Sequence, residues 1–211
     1  SSGVTGCALE IERIIEDAGF PEHVFTTLIC SSKAIPKVIE NPYIKAVTLT
    51  GSTEAGKKVA EQAGKLIKKT VLELGGSDPY VILEDADLKK AAKICAEARL
   101  INNGQSCIAA KRFIVVKTVE EQFTQLFKAE MESKKNGDPL QNDTDLGPMA
   151  RADLRDELNQ QVLKSIEQGA KCILGGEIPG MEGDHAYYQP TILTHVKKGV
   201  VAYDEEIFGP V

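Results

Sequence analysis

The sequence has 211 residues, of which 42% are hydrophobic and 27% are charged, and its formal net charge is -6. This length allows one hydrophobic core or two smaller ones, and the acidic balance gives no reason to expect a nucleic-acid or anionic-membrane partner. No apolar run approaches the roughly 20 residues that a membrane-spanning helix requires.

Strand-like and helix-like patterns alternate through the first half of the chain. The apolar spacing predicts helices over residues 6–18, 31–39 and 54–67, and strands over residues 24–29, 46–50 and 70–74. Pro36 weakens the middle of the second helix. This alternation is typical of a parallel sheet covered by helices, so the predicted fold class is α/β.

The second half of the chain continues the alternation. We predict helices over residues 87–101, 120–134 and 151–168, and strands over residues 79–83, 112–117, 171–174 and 189–196. Residues 135–149 are rich in Gly, Asp, Asn and Pro and are predicted to form a long surface loop. Residues 175–184 are predicted to form a Gly-rich excursion, a loop between two strands. Because a sheet pattern ends in two flexible residues at Gly75-Gly76, we expect a domain boundary there.

The number and spacing of the cysteines and histidines limit the kinds of site that the chain can form. The five cysteines are scattered and odd in number: Cys7, Cys30, Cys95, Cys107 and Cys172. This usage predicts reduced thiols in a reducing compartment, which we take to be the cytoplasm, rather than a disulfide framework. There is no C-x-x-C pair, and the three histidines form no cluster, so the sequence predicts no metal site.

The segment from Asn102 to Arg112 places Cys107 in a small polar stretch between a predicted helix and a predicted strand. A cysteine on such a loop can be exposed and activated as a nucleophile. A structural cysteine is instead a small buried hydrophobe. This segment alone leaves both interpretations open.

A glycine turn follows the strand over residues 46–50. Amide groups at the start of the next helix can receive a phosphate there. The spacing of Gly51, Gly56 and Lys57 nearly satisfies the phosphate-loop pattern of nucleotide triphosphatases, but that pattern needs Ser or Thr next, where this chain has Lys58. An ordinary strand–helix turn would also explain the glycines.

Two acidic positions complete the set of candidates. Glu73 ends a predicted strand before two glycines, so its carboxylate could reach into a cleft, or it could be a solvated side chain on a strand edge. Glu206 and Phe208 precede the Gly209-Pro210 turn. This stretch could also be only a chain end without a functional role.

Together these stretches resemble the aldehyde dehydrogenase superfamily. Four motifs occur in the order that the family shows: Thr50-Gly51-Ser52, Glu73-Leu74-Gly75-Gly76, Gly104-Gln105-Ser106-Cys107 and Glu206-Ile207-Phe208-Gly209-Pro210. The separation between Glu73 and Cys107 also matches the family. The segment through Arg112 is most similar to succinate-semialdehyde dehydrogenases.

The resemblance implies an oxidoreductase that converts a small aldehyde to a carboxylate with NAD or NADP. Cys107 matches the nucleophile, which forms a thiohemiacetal and then a thioester, and Glu73 matches the general base that activates water for hydrolysis. The implied cofactor contacts are Gly51, Ser52, Gly56, Leu74, Glu206 and Phe208. Of these, Gly51 and Ser52 match the pyrophosphate contacts, and Leu74 lies near the nicotinamide. Glu206 and Phe208 match contacts to the nicotinamide ribose and ring.

The resemblance also implies the organisation of the chain. Residues 1–75 would be part of a Rossmann-like cofactor-binding domain and residues 76–211 part of an α/β catalytic domain. We expect an internal portion of an aldehyde dehydrogenase that lacks both ends, including an asparagine donor of the oxyanion hole, so the isolated chain should be nearly inactive. The full-length protein would be a homodimer or homotetramer. A phosphate-loop nucleotide binder and a non-catalytic member of the same fold remain alternatives.

The residue at position 2 predicts the coenzyme preference. NAD-specific members of the family often carry an acidic side chain at the position aligned with Ser2, where it repels a 2′-phosphate. Because serine removes that repulsion, we expect the full-length enzyme to use NAD or NADP without excluding either. Steady-state kinetics with both coenzymes checks this. A preference for NAD above roughly a thousand-fold, ~4 kcal/mol, would contradict it.

Overall fold

The computed structural model describes residues 2–180 and 185–211. The chain divides into two compact units, Ser1–Leu74 (unit 1) and Gly75–Val211 (unit 2). Helices and strands alternate in both units, which confirms the α/β class. The assignment of the two units to a cofactor domain and a catalytic domain stays a prediction.

Unit 1 is built around one parallel strand pair. Its strands are β1 (Ala46–Thr50) and β2 (Lys69–Glu73), and its helices are α1 (Thr5–Asp17), α2 (Ile35–Glu40) and α3 (Thr53–Lys65). Strands β1 and β2 pair in parallel, with Thr50 opposite Glu73, and α3 is the crossover between them. The ends of both strands therefore lie on the same edge.

Two predicted elements of unit 1 are wrong. Residues 24–29 form no strand, because the backbone N–H of Thr27 donates to the Glu12 carboxylate (2.9 Å) and the Thr27 hydroxyl donates to the Ala8 carbonyl (3.0 Å). The segment is thus bonded to α1 and not to a strand. Residues 31–39 are not one helix, since a 3-10 turn at Ser32–Ala34 precedes α2. Pro36 lies in the first turn of α2, where the missing N–H costs no helical hydrogen bond.

Unit 2 contains a second parallel pair and an antiparallel pair. Its elements are β3 (Pro79–Ile82), α4 (Leu88–Leu100), β4 (Arg112–Val115), α5 (Glu120–Glu132), α6 (Ala152–Glu167), β5 (Lys171–Leu174), β6 (Ile192–Thr194) and α7 (Val201–Asp204). Strands β3 and β4 are parallel, whereas β5 and β6 are antiparallel. Helices α4 and α5 pack against each other. No helix in the described part of the chain is long and apolar enough to cross a membrane.

Two apolar clusters form the interior of unit 2. The first lies between α4, α5 and the β3–β4 pair and includes Ala92, Cys95, Phe123, Phe127 and Met131. The second holds α6 against the end of the chain and consists of Met149, Leu158, Val162, Ala186, Tyr188 and Ile207. It therefore fixes the segment that carries Glu206 and Phe208.

Two expectations for unit 2 need correction, and one helix was missed. The strand predicted over residues 189–196 is only Ile192–Thr194, because the N–H of Thr191 donates to the Pro210 carbonyl (2.8 Å) instead of to a neighbouring strand. The loop over residues 135–149 is not wholly superficial, since Leu146 and Met149 are buried in the two clusters. Helix α7 was not predicted. Residues 181–184 of the Gly-rich excursion lie outside the described residues.

Candidate active site

The turn between β1 and α3 brings a glycine and a helix start to the edge of the strand pair in unit 1. The N–H of Gly51 donates to the carbonyl of Glu73 (3.0 Å), and the Ser52 hydroxyl caps α3 by accepting from the N–H of Ala55 (3.3 Å). The first amides of a helix have no intrahelical acceptor. Helix starts that follow parallel strands are the sites at which nucleotide pyrophosphates bind, so this turn fits a dinucleotide phosphate.

The charges beside this turn do not form a triphosphatase site. Lys57 Nζ bonds the carboxylate of Glu54 at 2.7 Å, and this hydrogen bond lowers the pKa of Glu54. A phosphate-loop lysine would reach toward the β- and γ-phosphates, and the next residue would offer a hydroxyl to magnesium. Here Lys57 is paired with Glu54 and Lys58 offers no hydroxyl.

Glu73 and Leu74 lie at the same edge as the glycine turn. Glu73 is the last residue of β2 and is exposed, and its carbonyl accepts from Gly51. The Leu74 side chain packs on Gly56, where an added Cβ would come within 2.6 Å of Leu74 Cδ2. Gly56 therefore has a packing role that the sequence did not reveal. In unit 1 the structure brings together all five predicted site residues, Gly51, Ser52, Gly56, Glu73 and Leu74.

The loop that carries Cys107 begins with three residues in the left-handed region. After α4, Asn102 and Asn103 have φ values of 50° and 55°, and Gly104 has φ 71°. Asparagine is among the residues that adopt this conformation most readily. The Asn102 amide donates to the Gln105 carbonyl and the Asn103 amide to the Pro148 carbonyl, each at 2.9 Å. These bonds stabilise a backbone conformation that is otherwise unfavourable.

The same loop is tied to two other segments of unit 2. The Gln105 side-chain carbonyl accepts from the N–H of Ala150 (2.9 Å). Gly104 lies so close to Gly209 that an added Cβ would overlap the Gly209 carbonyl. Cys107 itself is half-buried in the turn that follows. The predicted loop position of Cys107 between a helix and a strand is thus confirmed, while its role as nucleophile stays a prediction.

Glu206 lies beside the cysteine loop. Its Oε1 forms an ion pair with Lys111 Nζ at 3.1 Å. Its Oε2 lies over the Cα of Gly75, where any Cβ would overlap it. Phe208 is 40% exposed at the end of the chain. In unit 2 the structure therefore brings Glu206 to the Cys107 loop.

Two charged residues of this site were missed at the sequence level. Arg99 is fully buried, and burial lowers its pKa to about 10, although nearby Glu206 acts in the opposite direction. Its Nη2 donates to the carbonyl of Gly104. A signal was present, because Arg99 falls on the same helical face as the buried residues Ala92, Cys95 and Ala96. Lys111 had no such signal, since it stands between a turn and a strand.

The five thiols differ in environment. Cys95 is buried in the first cluster, and desolvation raises the pKa of its thiol to about 11, so it has little thiolate at neutral pH. Cys172 donates its S–H to the Leu174 carbonyl (3.1 Å), and Cys7 and Cys30 are exposed in unit 1. Cys107 alone of these lies on a loop bonded to the Glu206 segment. Within residues 2–180 and 185–211, no group of His, Cys, Asp and Glu side chains is placed to hold a metal ion.

Comparison with known proteins defines the class to which this fold and these motifs belong. The model of the aldehyde dehydrogenase family matches residues 1–211, and the chain is a member of that family. A succinate semialdehyde dehydrogenase, NAD(P)+, of Escherichia coli (strain K12) is 47% identical over 208 residues, which cover 99% of this chain and 45% of that protein. A probable succinate-semialdehyde dehydrogenase, NADP(+), of Synechocystis sp. (strain ATCC 27184 / PCC 6803 / Kazusa) is 47% identical over 211 residues, 100% of this chain and 46% of that protein.

The fold agrees with this membership. The crystal structure of succinic semialdehyde dehydrogenase from Streptococcus pyogenes, in complex with NADP+ as the cofactor, superposes with a TM-score of 0.92 at 36% identity, over 97% of this chain and 44% of that one. The aldehyde dehydrogenase fold expected from the motifs is confirmed. The chain spans slightly less than half the length of the curated relatives that it matches. Family membership also removes the phosphate-loop nucleotide binder from the alternatives.

The close approach of Gly104 to Gly209 gives a test of the site's construction. Gly104→Ala combines a positive φ with a Cβ that overlaps backbone, so we expect it to lower the free energy of unfolding by about 1–3 kcal/mol or more. Gly64→Ala is the matched control. Gly64 lies in α3 with nothing within 4 Å of an added Cβ, and alanine there should stabilise by roughly 0.5–1 kcal/mol. Urea unfolding of the whole protein compares the two. A Gly104→Ala variant as stable as the parent would show that the two backbones are not held this close.

Proposed function

We propose that the whole protein is an aldehyde dehydrogenase that oxidises succinate semialdehyde to the dicarboxylate with NAD or NADP. One observation of the structure supports it most strongly. The loop of Cys107, the expected nucleophile, and the carboxylate of Glu206, the expected contact to the nicotinamide ribose, bind the same buried ammonium group of Lys111. The names of the relatives support the choice of substrate and coenzyme.

Cys107 supplies the covalent chemistry of the proposal. Its thiolate adds to the aldehyde carbon and gives a thiohemiacetal, whose oxyanion accepts a hydrogen bond from the backbone N–H of Cys107. A bound nicotinamide coenzyme would supply the acceptor for the hydride (two electrons and one proton) that this carbon loses as its C=O bond re-forms. The product on Cys107 is a thioester. Sulfur suits both steps because it is a strong nucleophile as thiolate and a good leaving group from the acyl carbon.

Glu73 supplies the base for the second half of the reaction. It takes a proton from water, the resulting hydroxide attacks the thioester, and the carboxylate product leaves as the thiolate of Cys107 is restored. Its position at the end of β2, with an exposed carboxylate and two glycines after it, suits a side chain that must reach a bound substrate. The bond between the Gly51 N–H and the Glu73 carbonyl fixes the backbone from which it projects.

Two parts of the chain would hold the coenzyme. The amides at the start of α3, next to Gly51 and Ser52, would receive the pyrophosphate. Glu54 in the first turn of α3 would repel that phosphate, but Lys57 neutralises it. Leu74, Glu206 and Phe208 would contact the nicotinamide riboside. As the family resemblance implies, we also propose that the whole protein is a cytoplasmic homodimer or homotetramer.

Replacement of the nucleophile gives the first test of this function. Cys107→Ala should abolish both aldehyde oxidation and formation of a covalent acyl-enzyme in the whole protein, because no other thiol lies on this loop, while the coenzyme still binds. Steady-state assays, intact-protein mass spectrometry and calorimetric binding of NADP measure the three properties. Cys7→Ala is the control, since Cys7 is exposed in α1, and its turnover should stay within about a few-fold of the parent. Acylation at another cysteine would refute the assignment.

Replacement of the base separates the two half-reactions. In Glu73→Gln, hydride transfer should survive at least in part, so one turnover should release reduced coenzyme and then stall at the thioester. Mass spectrometry of the intact variant, mixed with succinate semialdehyde and NADP, should show an adduct on Cys107 that accumulates as reduced coenzyme appears. Normal steady-state turnover by this variant would remove Glu73 from the mechanism. A parent protein that forms no adduct and oxidises no aldehyde would instead favour the non-catalytic alternative.

A further inference from the structure

Lys111 is a buried lysine that the proposed reaction does not use. Its side chain is 2% exposed. Its Nζ lies 2.9 Å from the carbonyl oxygen of Cys107, 3.1 Å from that of Ser106 and 3.5 Å from that of Ala109. Its fourth partner is Oε1 of Glu206, at 3.1 Å. One ammonium group thus contacts three carbonyls of the loop that carries Cys107. It also contacts the carboxylate of Glu206, which lies near the other end of unit 2 in the sequence.

These contacts determine the role that is open to Lys111. Carbonyl and carboxylate oxygens are acceptors only, so every partner of Nζ requires a proton on the nitrogen. A general base would need a free lone pair. Lys111 is therefore placed as a donor to the loop and to Glu206, and not as a general base.

The carboxylate of Glu206 depends on this charge for its orientation. Oε1 is buried and faces Lys111, and it has no hydrogen-bond donor among the described residues besides this ionic contact. Oε2 lies against the backbone of Gly75, where an added Cβ would displace it. The Glu206 side chain is still 25% exposed. Its carboxylate is thus held in one orientation with part of its surface free to meet a ligand.

Arg112 ties the start of β4 to the same segment in a different way. Its Nη2 donates to the Tyr203 carbonyl (2.9 Å), and its guanidinium carbon lies 4.6 Å from the centre of the Tyr203 ring. The adjacent residues Lys111 and Arg112 therefore attach the end of the loop that carries Cys107 to residues 203–206. Lys111 alone of the two contacts the carboxylate and the Cys107 carbonyl, so it is the link that couples the two functional groups.

We propose that Lys111 is a positioning residue that couples the coenzyme contact of Glu206 to the orientation of the Cys107 loop. The inference rests on the proposed function, in which Glu206 meets the nicotinamide ribose. Without the ammonium, the Glu206 carboxylate loses its partner and is free to rotate away from that position. At the same time the Cys107 carbonyl loses the Lys111 donor and the Ser106 carbonyl keeps only the N–H of Ala109 (3.1 Å), so the loop that carries the thiol is less firmly held.

A double-mutant cycle on the apo form of the whole protein tests the coupling. The variants are Lys111→Met, Glu206→Gln and the double variant, and the quantity measured is the calorimetric Kd for NADP. If Lys111 acts through Glu206, Lys111→Met should weaken binding by about tenfold or more in the parent and by less than about twofold in the Glu206→Gln background. An equal factor in both backgrounds would overturn the proposal.

A second measurement follows the thiol without coenzyme or substrate. The rate of Cys107 alkylation by iodoacetamide, assigned by peptide mass mapping, should change by about fivefold or more in Lys111→Met, a threshold above the ordinary scatter of surface variants. Lys117→Met is the matched control, because the Lys117 side chain is 92% exposed and pairs only with Glu120 among the described residues. It should alter neither the alkylation rate nor the Kd. An unchanged rate in Lys111→Met would contradict the link to Cys107.

The remaining outcomes are also decisive. If Lys111→Met alone does not fold, recovery of the fold in the double variant would support the coupling, because the unpaired buried carboxylate would then be the cause. An unfolded double variant would overturn it, since Lys111 would then serve chiefly to hold the loop. A parent protein that neither binds NADP nor oxidises an aldehyde would refute the proposed function. An active parent with an additive cycle would refute only the role of Lys111.

Discussion

The close approach of two backbones, at Gly104 and Gly209, is the constraint on which the site of unit 2 depends. Neither position has room for a side chain: a Cβ at Gly104 would overlap the Gly209 carbonyl, and a Cβ at Gly209 would overlap Leu158. Since Leu158 belongs to the second apolar cluster, the burial of α6 presses the end of the chain against the cysteine loop. Hydrophobic packing thereby sets the distance between the Cys107 loop and the segment that carries Glu206.

That approach buries charged side chains, and neighbouring groups compensate them in part, since Nε and Nη1 of Arg99 have no hydrogen-bond partner among the described residues. Arg99 bonds the Gly104 carbonyl and lies near Glu206, while Lys111 pairs with Glu206 directly. A buried ion that lost its partner would be strongly destabilising, so these side chains depend on one another. The left-handed run at Asn102 and Asn103 is held in the same way, by amide hydrogen bonds to neighbouring carbonyls. Buried charges and left-handed backbone conformations, which are unfavourable by themselves, are thus concentrated next to Cys107. The contacts around them offset this cost.

In unit 1 the predicted site residues are positioned mainly by backbone geometry. Parallel pairing of β1 and β2 places Thr50 opposite Glu73, so the residues that follow each strand meet at one edge. The Gly51 amide completes the pairing by bonding the Glu73 carbonyl, and Ser52 then begins α3. The proposed phosphate contact and the proposed base Glu73 are compatible on this edge because they would use different groups. The first uses main-chain N–H groups and the second a side chain.

Elements with strong local signals, and the order of the motifs, could be predicted from the amino-acid sequence alone. Strands β1 and β5 have the predicted bounds, and Cys107 lies on the predicted loop, because alternation and turn residues act over a few positions. The other features depend on contacts between segments that are distant in the sequence. Residues 24–29 have strand-like composition, but Thr27 bonds α1, and pairing is a non-local property. The roles of Arg99 and Lys111 likewise depend on burial, and a charged residue is buried only where packing from distant segments supplies its partners.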